Sequence, residues 1–158
     1  MSKTKVLFVC LGNICRSPLA EGIFKHKVAT QGLDNKMMAD SCGTAAYHIG
    51  ERPDERSMAN ALKNGVRYEH RGRQLKRQDF YEFDIILAMD SSNLRDAQNL
   101  MPSDSEAKLQ LMRDFDSDDP GRDVPDPYYG GEDGFQQVFD ILDRSVDKLI
   151  SQIERRSN

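Results

Sequence analysis

Val6-Leu7-Phe8-Val9-Cys10-Leu11-Gly12-Asn13-Ile14-Cys15-Arg16-Ser17-Pro18-Leu19-Ala20-Glu21 is the stretch that decides how this chain folds. The run Val6–Val9 is apolar and reads as a strand. A short loop follows, and a helix is expected to open with Ser17 as N-cap and Pro18 at its first position. Loop N–H groups and the positive end of that helix then converge on one point, which suits an anion. Cys10 stands at the edge of the hole and Arg16, six residues on, closes it from the other side with a planar fork for two anion oxygens. Gly12 admits a close backbone approach and offers freedom at positive φ, and Asn13 tolerates a left-handed turn. A helix N-terminus and a guanidinium both favour thiolate over thiol. The stretch therefore reads as a phosphate cradle, with backbone amides of Leu11, Gly12, Asn13, Ile14, Cys15, Arg16 and Ser17 around the anion and Cys10 as nucleophile. A plain structural cysteine before an ordinary turn is the alternative; the strand before, the helix after, and Gly and Asn inside weigh against it.

Working outward, the same alternation continues. Strand-like runs at Val6–Val9, Lys36–Asp40, Asp84–Ala88 and Lys108–Met112 are interleaved with helical stretches from Pro18 to Gln31, Asp54 to Asn64 and Ser91 to Met101. Gly32 and Gly65 are expected to stop the first two helices, and Ser91 to cap the third. Phe135, Val138, Phe139, Leu142, Val146, Leu149, Ile150 and Ile153 share one face of a final helix. The expected fold is α/β: one domain spanning residues 1–158, a doubly wound sheet of four parallel strands with helices on both faces. Asp84–Ala88 is nearly continuous in apolar residues, as a strand covered on both sides should be. Ligands of such sheets bind at the carboxyl ends of the strands, which is where Cys10 lies.

Bulk properties narrow the function classes. The chain has 158 residues, 22 Lys plus Arg against 26 Asp plus Glu, and a formal net charge of −4. That balance argues against nucleic acid or an anionic membrane as partner, so anion binding must be local. The apolar run before Cys10 is too short for a secretory signal, and no stretch approaches transmembrane length. Three cysteines without a signal read as cytosolic thiols rather than a disulfide framework, so a cytoplasmic location is expected.

Cleaving a phosphate ester with a poor leaving group calls for a proton donor facing the nucleophile. The segment from Asp114 to Asp126 offers six aspartates, most of them fit for a solvated acidic loop. A calcium loop starting at Asp114 fails: Asp119 stands where Gly is required and Pro125 where Glu is required. No metal site is expected. Asp126 differs from its neighbours because Pro125 and Pro127 restrict its backbone on both sides. Tyr128 and Tyr129 follow it and can wall a pocket for an aromatic ring.

Two motifs, Val9-Cys10-Leu11-Gly12-Asn13-Ile14-Cys15-Arg16-Ser17-Pro18 and Asp126-Pro127-Tyr128-Tyr129, resemble the signatures of the low-molecular-weight protein tyrosine phosphatases. Ser41-Cys42-Gly43-Thr44 and Met89-Asp90 resemble further family segments, so the likeness spans nearly the whole chain. The resemblance implies that Asp126 is the acid and later the base, and that the Ser17 hydroxyl eases thiolate departure. It also implies that Asn13 and Ser41 form a polar scaffold for the loop. His70 matches that scaffold only by position and otherwise reads as a surface imidazole. Tyr47 falls where relatives carry an aromatic at the pocket rim, with His48 beside it, and Leu11 is expected to touch the substrate ring. Cys42 departs from the family's small residue at its place and reads as a buried hydrophobe. Cys15, five residues from Cys10, is expected to trap the oxidised nucleophile as a disulfide.

The implied activity is hydrolysis of protein phosphotyrosine and small aryl phosphates through a cysteinyl-phosphate, with inorganic phosphate as product and no cofactor. Phosphotyrosine-bearing proteins are the expected partners, a cognate tyrosine kinase among them, and the chain is expected as a monomer or weak dimer. An arsenate reductase on the same scaffold would want resolving cysteines in the Met89–Met101 region, which has none. A phosphocarrier that keeps its cysteinyl-phosphate is the rival from another class, and Asp126 argues against it.

Overall fold

The computed structural model describes residues 3–127 and 131–157. β1 (Thr4–Cys10) is the strand from which the sheet grows in both directions. On one side it pairs in parallel with β2 (Met37–Gly43), Thr4 opposite Met37 through Cys10 opposite Gly43. On the other it pairs with β3 (Ile85–Ala88), Val6 opposite Ile85 and Val9 opposite Ala88. β4 (Lys108–Leu111) adds beyond β3, so the order is β2-β1-β3-β4, all parallel. This is the doubly wound four-stranded sheet that the alternation predicts.

Side-chain alternation divides β1 between two cores. Val6 and Phe8 join Leu19, Ile23, Phe24, Leu142, Leu149 and Ile150 on one face. Leu7 and Val9 join Phe80, Phe83, Ile86 and Ala97 on the other. The first face is covered by α1 (Arg16–Thr30) and α5 (Gly131–Ser157), with α2 (Glu55–Lys63) packed on α5. The second is covered by the short α3 (Asp79–Glu82) and by α4 (Ser91–Leu100). Every residue of α1 from Arg16 to Phe24 is buried, because the sheet, α5 and the 66–75 segment enclose it. Gly22 makes that enclosure possible: a Cβ there would lie 2.6 Å from the Tyr68 ring.

Three expectations about helix starts are corrected. α1 begins at Arg16, with Cys15 in the N-cap position and no side-chain cap, so Ser17 is not the cap and Pro18 is the third helical residue. The Ser17 hydroxyl is engaged by Cys10 and Asn13 of the loop after β1 instead. Proline is tolerated there because first-turn N–H groups have no intrahelical partner anyway. α4 is capped by Asp90 rather than Ser91, the carboxylate accepting from Asn93 N. Gly32 and Gly65 do end their helices in the left-handed region, at φ 68° and 85°.

Winding reverses between β1 and β3, and their carboxyl ends carry Cys10 and Asp90. At the opposite end of the sheet lies a groove of about 590 Å³ whose walls include Lys3, Thr4, Asp84, Lys108 and Arg156. Among the described residues no helix is long and apolar enough to cross a membrane.

Candidate active site

The loop after β1 is shaped from outside. Thr44 N donates to Cys10 O at 2.9 Å, Ala45 N to Leu11 O at 3.0 Å and Asp54 N to Ile14 O at 2.7 Å. Turning these carbonyls outward leaves the loop's N–H groups for the interior, the arrangement of an anion nest. Gly43 must be bare for this, since a Cβ would come within 2.7 Å of Leu11 O.

Asn13 takes the left-handed turn at φ 59°, alone in positive φ among the described non-glycine residues. Gly12 does not use positive φ, contrary to expectation. Its lack of a side chain makes room instead for the His48 ring, whose Cδ2 would stand 3.0 Å from a Cβ on Gly12. The buried Asn13 side chain ties the loop together: Nδ2 donates to Ser17 Oγ at 2.9 Å and Ser41 Oγ at 3.1 Å. Its Oδ1 faces His70 Nε2 at 2.7 Å and accepts Arg73 N at 3.0 Å. Ser41 Oγ donates to Glu21 Oε1 at 2.7 Å, and His70 Nδ1 is 3.1 Å from the same oxygen. Burial disfavours the Glu21 charge, but hydrogen bonds from His70, Lys25 and Ser41 more than offset it and hold its carboxyl below the ordinary range. Ligand atoms of Glu21, Asp40 and His70 lie within 4.8 Å of one another, and their polar atoms already serve this network and Arg73.

Cys10 is buried at the end of β1, and its Sγ accepts Asn13 N at 3.2 Å. Ser17 Oγ stands 2.9 Å from the same sulfur, within reach of donating to a thiolate. Arg16, 4% exposed, donates from Nη1 to Asp90 Oδ2 at 2.8 Å and to Val124 O at 2.9 Å. Burial opposes the Arg16 charge, but the negative groups Cys10, Asp90 and Asp126 more than compensate and push its pKa up. Cys15 is a buried free thiol pushed up to about 12, first by burial and then by the charges of Asp54, Cys10 and Asp126. Burial likewise pushes the Cys42 thiol up.

A cavity of about 220 Å³ is lined by residues 10–12 and 14–16 of the loop together with Tyr47, His48 and Asp126. Sulfur, guanidinium and carboxylate thus share one opening. Leu11 and Tyr47 are exposed at the rim, at 42% and 72%. Asn13, Ser17, Ser41 and His70 lie behind the loop and do not line the cavity. Tyr128 and Tyr129 lie outside the described residues. Asp90, Arg73 and Glu21 had no assigned role in the sequence; the signal for Asp90 is its place at the carboxyl end of the strand beside Cys10.

A family model described as low molecular weight phosphotyrosine protein phosphatase matches residues 5–158. A Schizosaccharomyces pombe protein of that description is 50% identical over 136 residues, covering 85% of this chain and 87% of its own length. A protein tyrosine phosphatase of Entamoeba histolytica, solved with Hepes in its active site, superposes with a TM-score of 0.93 at 39% identity, over 99% of this chain and 100% of that one. A Drosophila arginine phosphatase has a TM-score of 0.86 at 34% identity, over 94% and 97%.

Proposed function

The chain belongs to the low molecular weight phosphotyrosine protein phosphatase family, and from that premise we propose that it hydrolyses phosphotyrosine in proteins by way of a cysteinyl-phosphate. The observation that carries this reading is the shared cavity, lined at once by Cys10, Arg16 and Asp126.

In the first step the Cys10 thiolate attacks phosphorus in line while Arg16 and the loop amides hold the equatorial oxygens. The phosphorus–oxygen bond to the tyrosine breaks, and the leaving phenolate takes the proton of Asp126. In the second step water attacks the cysteinyl-phosphate, Asp126 takes the water's proton, and phosphate departs as the thiolate re-forms. Ser17 Oγ, 2.9 Å from the sulfur, donates to it as the sulfur becomes a leaving group.

Turnover of p-nitrophenyl phosphate in chelator at mildly acidic pH tests this directly. Many turnovers are expected; a single stoichiometric burst would make the chain a phosphocarrier. Cys10→Ser is expected to abolish turnover while leaving phosphate binding detectable by calorimetry. Asp126→Asn is expected to slow phosphotyrosine by about 10²-fold or more and an ester of a strongly acidic phenol far less. Equal losses on both esters would remove Asp126 from the role of acid.

Cys15 is proposed to protect the nucleophile. Once peroxide converts Cys10 to a sulfenic acid, attack by the Cys15 sulfur releases water and forms a disulfide that a thiol reductant reopens. Because Cys15 is pushed up to about 12, the trapping step is expected to be slow at neutral pH. Mild peroxide should inactivate the wild type reversibly and Cys15→Ser irreversibly. Equal recovery of both proteins would dismiss the protective role.

A further inference from the structure

Beside the catalytic opening lies a second cavity of about 270 Å³, and the two share a wall of Leu11, Arg16 and Asp126. Its own lining includes Asp90, Asp123 and Asn93. Asn93 is 2% exposed, yet its side-chain Oδ1 has no hydrogen-bond partner among the described residues. A buried carbonyl oxygen without a donor is costly, a cost recovered when a ligand supplies the donor. The cavity is also negative: Asp90, Asp123 and Asp126 face one guanidinium, and Asp90 and Asp123 outnumber it even while Asp126 carries its proton. That guanidinium is engaged by Asp90 and loses more of its field when a phosphate dianion enters next door. The N-terminus of α4 does not reverse the sign. Asp90 Oδ1 accepts Asn93 N at 2.8 Å, and Asp123 Oδ1 accepts both Ser91 N at 2.9 Å and Ser91 Oγ at 2.8 Å.

We propose that this cavity is a subsite for a basic side chain, lysine or arginine, carried by the phosphotyrosine substrate close to the phosphorylated residue. The alkyl stem passes Leu11, and the cationic head meets the Asp123 carboxylate and Asn93 Oδ1. Peptides that bring a phosphate and a cation together are thereby selected over those with acidic flanks, which the chain's net charge of −4 already repels. The proposal rests on the phosphotyrosine reading above and adds to it which sequences surround the tyrosine.

The test uses phosphotyrosine peptides with one lysine walked through the three positions on each side, each paired with its acetyl-lysine twin. At one position or more, kcat/KM of the wild type is expected to be about tenfold higher for lysine, through KM, with the ratio shrinking as salt rises. Asp123→Asn, which keeps an acceptor for Ser91, should bring that ratio near one with p-nitrophenyl phosphate turnover unchanged; Asn93→Ala is the second variant for the same readout. Ratios near one at all positions in the wild type, or a lysine preference that survives both variants, would overturn the subsite. Failure to turn over any of the peptides would instead overturn the phosphotyrosine reading itself.

Discussion

At Asn13 one side chain does what several residues do elsewhere: it takes the turn at φ 59° and holds Ser17, Ser41, His70 and Arg73 N around the loop. Asn13→Ala is expected to destabilise the protein by about 3 kcal/mol, from a strained left-handed alanine and from buried groups left unpaired. Asn13→Gly removes the strain and keeps the second loss, so it should be the more stable of the two by about 1 kcal/mol. Urea denaturation of both variants checks the difference, and identical midpoints would show that the backbone turn costs nothing here. Asn13's tolerance of this turn is legible in the residue type. The partners of its amide are not: Ser41, His70 and Arg73 lie 28 to 60 positions away, and no spacing rule reaches that far. Ser17 reads as a cap in the sequence, and is not one in the structure, for a related reason. A hydroxyl at a helix start has a local use, and only the tertiary position of Cys10 gives it a stronger one.

The loop that delivers Asp126 is fastened at the level of whole elements. Asp116 is fully buried and accepts Arg144 Nε at 2.8 Å, Arg144 Nη2 at 3.0 Å and Arg113 Nε at 2.9 Å, joining the 3-10 turn Met112–Phe115 to α5. Arg113 Nη1 then reaches Asp123 O at 2.9 Å, three residues short of the acid. The Arg144 hydrogen bond, with the Asp118 N–H and Arg113, outweighs burial and holds the Asp116 carboxyl at about 2 against an ordinary 3.8. A depressed folded value means stabilisation that is complete above pH 3.8 and is lost as pH falls through about 2. Asp116→Asn should therefore lower the melting temperature at neutral pH and flatten its decline between about pH 4 and 2. A decline as steep as that of the wild type would mean that other carboxylates set acid stability. In the sequence this aspartate looked like one more solvated charge in an acidic run. Its arginine partners stand three residues before it and 28 after it, and the second becomes a neighbour only once α5 has docked.

For the molecule as a whole, the strand–helix alternation was sufficient to predict the parallel sheet and both covering layers, because the central strands β1 and β3 carry apolar residues on both faces. The edge that holds the site was equally legible, since Cys10 ends the first strand. What stayed hidden was which strands adjoin. The order β2-β1-β3-β4 sets Asp90 next to Cys10, and it arises from packing choices that no single segment encodes. The same topology fixes what lies at the far end. Lys3 and Thr4 share the distal groove with Ile153 and Arg156, so the first and last described segments meet on the side of the sheet away from the cavity that Cys10 lines. A peptide stitch joining the two segments would lie there and leave that cavity clear. Engineers could accordingly cut the chain open at an outlying turn and still recover a working protein.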